Sequence, residues 1–207
     1  MSIVLVGSTS GSVTLQEPAV AGTTVLTLPA VSGTVITTGT TGQVIDSGAL
    51  PIGSVLQVIQ TAKTDTFSTT SSSFVNITGL TVTITPKFST SKILVIAQVS
   101  SSGMNTNSAI FKLAGGNTAS YIGDASGSEV RSVVGGYFQQ NLTNLLLSQS
   151  LIYLDSPATT SATTYSVQCT VGGSTGNPVQ VNASIGGGGS NTAARGASSI
   201  IVMEVAG

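Results

Sequence analysis

Three features predict an all-β fold for this 207-residue chain. Apolar residues alternate with Thr, Ser, Asn or Gln over short runs, the period of a strand with one face in a core. Val, Ile and Thr dominate those runs, and their β-branched side chains favour the pleated backbone. Segments rich in Gly, Ser, Asn and Pro separate the runs at the spacing of an antiparallel sandwich. The best helical pattern is Phe138, Leu142 and Leu145 in GGYFQQNLTNLLLSQ (135–149). Strand-forming residues follow it, and a bulged strand fits the segment equally well.

Residues 1–50 are built differently from the rest. GSVTLQEPAVA (11–21), GTTVLTLPAVS (22–32) and GTVITTGTTG (33–42) align as three rungs, with Gly11, Gly22 and Gly33 at equal spacing and Pro18 and Pro29 in phase. Each rung has room for about two short strands and a turn, too little to bury an apolar face alone. Stacking, or winding with copies of the same segment, would bury it. Pro51 and Gly53 in ALPIGSV (49–55) end the repeat.

From there the strand signals run to the end. SVLQVIQ (54–60), SSFVNI (72–77), LTVTIT (80–85), KILVIAQV (92–99), LLLSQSLIYL (145–154), YSVQCTV (165–171), VQVNASI (179–185) and SSIIVMEV (198–205) read as strands. Residues 93–97 are apolar without a break, which suits a strand covered on both faces. PKFSTSK (86–92), DSPATTSAT (155–163) and GGGGSNTAARG (186–196) are among the turns. The expected architecture is a short-rung β-repeat anchor or shaft over residues 1–50. An antiparallel, jelly-roll-like β-sandwich over residues 51–207 follows it.

Charge narrows the functions open to such a chain. Six Lys and Arg and seven Asp and Glu make up 6% of the residues, against about 25% in an average protein. Polarity comes from 31 Ser and 30 Thr. The cations Lys63, Lys87, Lys92, Lys112, Arg131 and Arg195 are scattered, so the electrostatic footprint of a nucleic-acid binder is missing. No apolar run approaches the ~18 residues of a membrane span. MSIVLVGSTSG has no cationic start, so no secretory leader is expected and the chain is expected to fold in a cytoplasm. A net charge of −1 favours association, and a chain that works inside an assembly is the expectation.

Catalytic and metal chemistry find little to use. There is no His, which removes the commonest general base and the Ser-His-Asp and Cys-His arrangements. Cys169 is the single cysteine and alternates with Tyr165, Val167 and Val171, the pattern of a small core residue. In YIGDASGSEVR (121–131), Asp124 and Glu129 are the carboxylates closest to a glycosidase pair or a calcium loop; a surface loop with an ion pair to Arg131 is the simpler expectation. GGGG (186–189) lacks the Lys and following helix of a phosphate cradle. Glu204 interrupts the last strand, with solvent, Arg195 and Lys92 all open as its surroundings. No catalytic, cofactor-binding or metal-ligating residue is expected.

GSVTLQEPAVAGTTVLTLPAVSGTVITTG (11–39) resembles the N-terminal segment of bacteriophage tail-fibre and related virion proteins, especially from phages of cyanobacteria and other aquatic bacteria. SSSFVNITGLTVTITPKFSTSKILVIAQVS (71–100), YIGDASGS (121–128) and YLDSPATTSATTYSVQ (153–168) resemble a domain recurring in those proteins. The resemblance implies a non-enzymatic virion component assembled in the host cytoplasm and built as a homotrimer. It further implies a tail fibre held to other virion proteins through residues 1–50, with the C-terminal domain toward the host surface and its glycans. Fibres with this start often continue much further, so a short fibre is expected here. A capsid decoration or head fibre is the alternative, and a glycan depolymerase a third. In an intertwined β-shaft of this kind Val25, Leu26, Val35 and Ile36 are the expected interchain contacts. No receptor-binding residue is singled out.

Overall fold

The computed structural model describes residues 3–6, 9–10, 12–15, 50–103, 107–138, 144–173, 176–186 and 191–207. The chain divides into two units, Met1–Val44 and Ile45–Gly207. In the first, β1 (Ile3–Val6) and β2 (Ser12–Leu15) pair antiparallel, with Ile3 opposite Leu15 and Val6 opposite Ser12. Most of the repeat, including Val25, Leu26, Val35 and Ile36, lies outside the described residues.

The second unit is an antiparallel sandwich. Its strands are β3 (Val55–Lys63), β4 (Phe67–Thr69), β5 (Val75–Ile84), β6 (Lys92–Gly103), β7 (Ser108–Ala114), β8 (Val134–Tyr137), β9 (Leu147–Asp155), β10 (Thr163–Gly172), β11 (Val179–Val181) and β12 (Ser198–Val205). One sheet runs β3-β12-β6-β9, with β11 and β4 extending β12 and β3 along the same side of β6. The other runs β5-β10-β7-β8. Among the described residues the one helical element is a 3-10 turn, Thr118–Ser120.

Alternation makes the core. Ile93, Val95, Ala97 and Val99 of β6, Ile200 and Val202 of β12 and Leu151 of β9 point inward from the first sheet. Leu80, Val82 and Ile84 of β5, Phe111 of β7 and Tyr165, Val167 and Cys169 of β10 meet them from the second. With no Trp and few aromatics, aliphatic branches fill the interior around Phe111, Phe138 and Tyr165, all fully buried.

The structure departs from the sequence expectation at four places, each for a local reason. The segments 72–77 and 80–85 form one strand, β5. Gly79 adopts φ +82 and the β10 register slips beside it, so the inward set passes from Ile77 to Leu80. This is a bulge that only the conformational freedom of glycine admits cheaply. The alternation of 179–185 stops as a strand at Val181, because Asn182 takes φ +63, a conformation Asn tolerates better than most residues. The chain then loops out and returns as β12. Within 135–149, Val134–Tyr137 and Leu147–Asp155 are strands, not helix; residues 139–143 lie outside the described residues. Strand β7 gave no clear sequence signal, since Ile110 on its outer side blurs the alternation of Ala109, Phe111 and Leu113.

Asn182 is the hub of that break. Its amide donates to the Lys63 and Asp65 carbonyls at 2.8 and 2.9 Å, and its side-chain oxygen accepts from the Ser198 hydroxyl at 2.6 Å. Lys63, at the end of β3, is itself buried and its ammonium lies 2.9 Å from the exposed Asp65 carboxylate. The hydrogen bond from Lys63 holds the Asp65 carboxyl below its ordinary range. A depressed carboxyl contributes stability above its unfolded pKa, and that contribution is lost as pH falls through the folded value. Such half-exposed pairs contribute little, and burying the ammonium opposes folding. Lys63→Met is therefore expected to leave stability close to that of the wild type at neutral pH. An NMR titration should show the Asp65 carboxyl returning toward its ordinary value.

Candidate functional site

Among the described residues two carboxylates are interior, and both have hydrogen-bonding roles. Asp155 ends β9 with its side chain fully buried; the Tyr165 hydroxyl donates to Oδ2 at 2.6 Å, and the Asn117 N–H reaches both oxygens at 3.1 and 3.2 Å. The Gly115-Gly116 turn makes this approach possible. Both glycines have positive φ, and a Cβ on Gly115 would overlap the Thr164 carbonyl while one on Gly116 would overlap the Asp155 carboxylate. Burial first, and then the bond to Asp155, raise the pKa of the Tyr165 phenol.

Glu204 is also fully buried, and it meets neither Arg195 nor Lys92. Its Oε1 accepts from the Lys87 N–H at 2.7 Å and the Phe88 N–H at 3.4 Å, and its Oε2 from the Gln57 amide at 2.5 Å. It thus ties the β5–β6 loop to β12 and β3. Cys169 sits fully buried between the sheets, and burial alone pushes its thiol up to about 12. A neutral, enclosed thiol is a poor nucleophile.

The 121–131 loop is a surface loop, but not one closed by the expected ion pair. Asp124, Glu129 and Arg131 are exposed, and Arg131 donates through Nε to the Gly123 carbonyl at 2.7 Å. Among the described residues no three His, Cys, Asp or Glu side chains come together as metal ligands. Of the aromatic residues, Phe111, Phe138 and Tyr165 are core, Tyr121 and Tyr153 stack with centroids 4.6 Å apart, and Tyr137 is exposed. Residues 187–189 of the GGGG stretch lie outside the described residues.

Among the described residues a shallow cleft of about 320 Å³ lies where β4 meets β11 and is lined by Thr66, Ser68, Gln180, Ser184 and Arg195. It offers hydroxyl, amide and guanidinium groups without a carboxylate.

The outer faces of the two sheets differ sharply. On the β5-β10-β7 face polar side chains bond one another: the hydroxyls of Thr83 and Thr164 at 2.7 Å, Gln168 to Asn76 at 2.9 Å, and the Thr170 hydroxyl to the Ser71 carbonyl at 3.0 Å. Lys112 lies over the Phe74 ring, 4.3 Å from its centroid. On the opposite face the strand register lines up Val58, Met203, Leu94 and Leu154 in one row and Ile201, Ile96 and Ile152 in the next. Val58, Ile152 and Leu154 are 55%, 53% and 47% exposed, and Val55 beside them 56%. The expectation that 93–97 is covered on both faces is met within this chain on one face only. Ile93, Val95 and Ala97 are enclosed, whereas Leu94 and Ile96 are only partly screened by their neighbours. The sequence held the signal in plural: LIYL in β9 and IIVM in β12 are also unbroken, and these strands flank β6.

Fold and surface together define an all-β protein made of antiparallel sheets, with one outer face polar and the other apolar. No family model matches the sequence, and no curated protein matches it. Among solved structures the chain is similar to the crystal structure of the infectious bursal disease virus VP2 subviral particle. The match has 18% identity and a TM-score of 0.28, over 73% of this chain and 37% of that one. The chain thus spans little more than a third of that protein, and a likeness at this score defines neither a family nor a function.

Proposed function

We propose that the chain is a structural virion protein: a short homotrimeric phage tail fibre, attached through residues 1–50, with its C-terminal sandwich toward the host surface. The apolar outer face of the β3-β12-β6-β9 sheet carries the assembly part of this reading. A nearly uncharged chain with such a face is suited to work among copies and partners. The strand order supports a jelly-roll reading. Counting β3 with β4 and β11 with β12 as interrupted single strands, the sheets run 1-8-3-6 and 2-7-4-5. That arrangement recurs in viral capsid and lectin domains. Attachment to a tail rests on the N-terminal resemblance. Host glycan is the proposed external partner, and the hydroxyl- and amide-lined cleft beside Arg195 suits weak sugar contacts that trimerisation would multiply.

Imaging virions with an antibody to the sandwich tests the location. Density at the tail is expected; density over the head would establish the capsid-decoration alternative, and its absence from particles would overturn the proposal. Purified protein is expected to bind host cells and block infection without clearing host polysaccharide. Clearing would establish the depolymerase reading.

A further inference from the structure

We infer that the apolar outer face of the β3-β12-β6-β9 sheet is covered by a second copy of this chain. The inference rests on the homo-oligomeric reading above and names the surface that carries it.

Size is the first argument. Four strands at about 4.8 Å spacing and about nine residues long present a face of roughly 600 Å². A stable interface takes about 800 Å² from each partner. The sheet face supplies most of that, with the apolar rows as its dry centre and Gln60, Gln98 and Ser150 as a polar rim. This is the layout of a specific interface.

Charge is the second. Across the outward positions of the four strands the one charged side chain is Lys92, at the edge beside Val205. Neighbouring copies can meet on this face without burying a carboxylate or an unpaired cation, the usual obstacle to self-association. At a net charge of −1 they also approach without long-range repulsion. A partner strongly charged at the contact would find nothing on this face to pair with. The polar face across the sandwich is different, because its side chains are already engaged with one another and with the 70–74 loop.

The experiment measures mass by light scattering for the full chain, for Ile152→Asp/Leu154→Asp and for Val25→Asp/Val35→Asp. The wild type is expected as a multimer and the face variant at a lower mass, with its circular dichroism and thermal transition retained. In parallel, the thiol of Ile152→Cys is expected to react with a maleimide at least tenfold more slowly in the assembled chain than a free thiol does. Cys169 is enclosed and leaves the background low. Should the face variant fail to fold, the labelling rate decides alone. A multimer with unchanged mass and a fast-reacting Ile152→Cys thiol overturns the inference yet leaves the homo-oligomer standing; loss of mass in Val25→Asp/Val35→Asp would then assign assembly to residues 1–50. A wild type monomeric throughout the micromolar range overturns both.

Discussion

Glu204→Ala is expected to destabilise the sandwich by about 2–4 kcal/mol, a large part of the stability of a marginal domain. The side chain is fully enclosed and acts purely as an acceptor, for two backbone N–H groups of the β5–β6 loop and for the Gln57 amide. Truncation takes away the partner of the part-buried Lys87 N–H, at about 1–3 kcal/mol, and opens a cavity besides. Gln57 keeps one partner, the Thr85 carbonyl at 2.8 Å, so its loss is partial. Glu204→Gln keeps the volume but turns one acceptor into a donor that faces another donor; a loss of about 1–3 kcal/mol is expected. Urea denaturation of the three proteins measures both. An Ala variant within 1 kcal/mol of wild type, on the order of an ordinary surface change, would show that the loop is not held this way.

How much of this was legible follows from which interactions are local. β12 and β10 were legible for different reasons, β12 as a continuous apolar and largely β-branched run and β10 as an alternation facing one core; Ser198–Val205 matches the expected strand residue for residue, and Cys169 lies where its neighbours put it. The junction at Gly79 was not legible, because a bulge is defined by the partner strand, whose register shifts between Ser166 and Gln168. Asn182 likewise looks like one more outward polar residue in VQVNASI. Its turned backbone shows only once β3, β6 and β12 are present to bond it.

The charged residues show the same limit. Seven carboxylates in a low-charge chain were readable as scarce, but their partners were not. Glu204 finds its donors 116 to 147 residues away, across a loop whose position depends on both sheets. Asp155 and Tyr165 are ten residues apart, yet they belong to opposite sheets. The apolar outer face was half legible. The unbroken run 93–97 signalled a strand with two apolar sides, and β9 and β12 carry the same signal on either side of it. On the proposed reading another copy covers the second side, and a single-chain pattern holds no term for that.

Alkali is expected to unfold this protein through two interior groups that must stay neutral. Burial pushes the Cys169 thiol up to about 12, and burial together with the bond to Asp155 raises the Tyr165 phenol. A group whose folded pKa is raised contributes its full stability below the unfolded pKa and loses it as pH climbs toward the folded value. The window therefore opens near pH 9 for the thiol and near pH 10 for the phenol. At pH 11 the unfolded chain has shed both protons and the folded chain has kept them. The difference is about 3 kcal/mol from the thiol and about 1 kcal/mol from the phenol. Urea midpoints between pH 8 and pH 11 should fall accordingly. Cys169→Ala is expected to flatten most of that fall, while its own cavity costs about 1 kcal/mol at every pH. Tyr165→Phe should remove the smaller part above pH 10 and lower stability at neutral pH, because Asp155 then keeps only the Asn117 N–H. A wild-type midpoint that stays level to pH 11 would mean that the thiol ionises inside the fold, which a dry interior of Val, Ile and Phe does not allow.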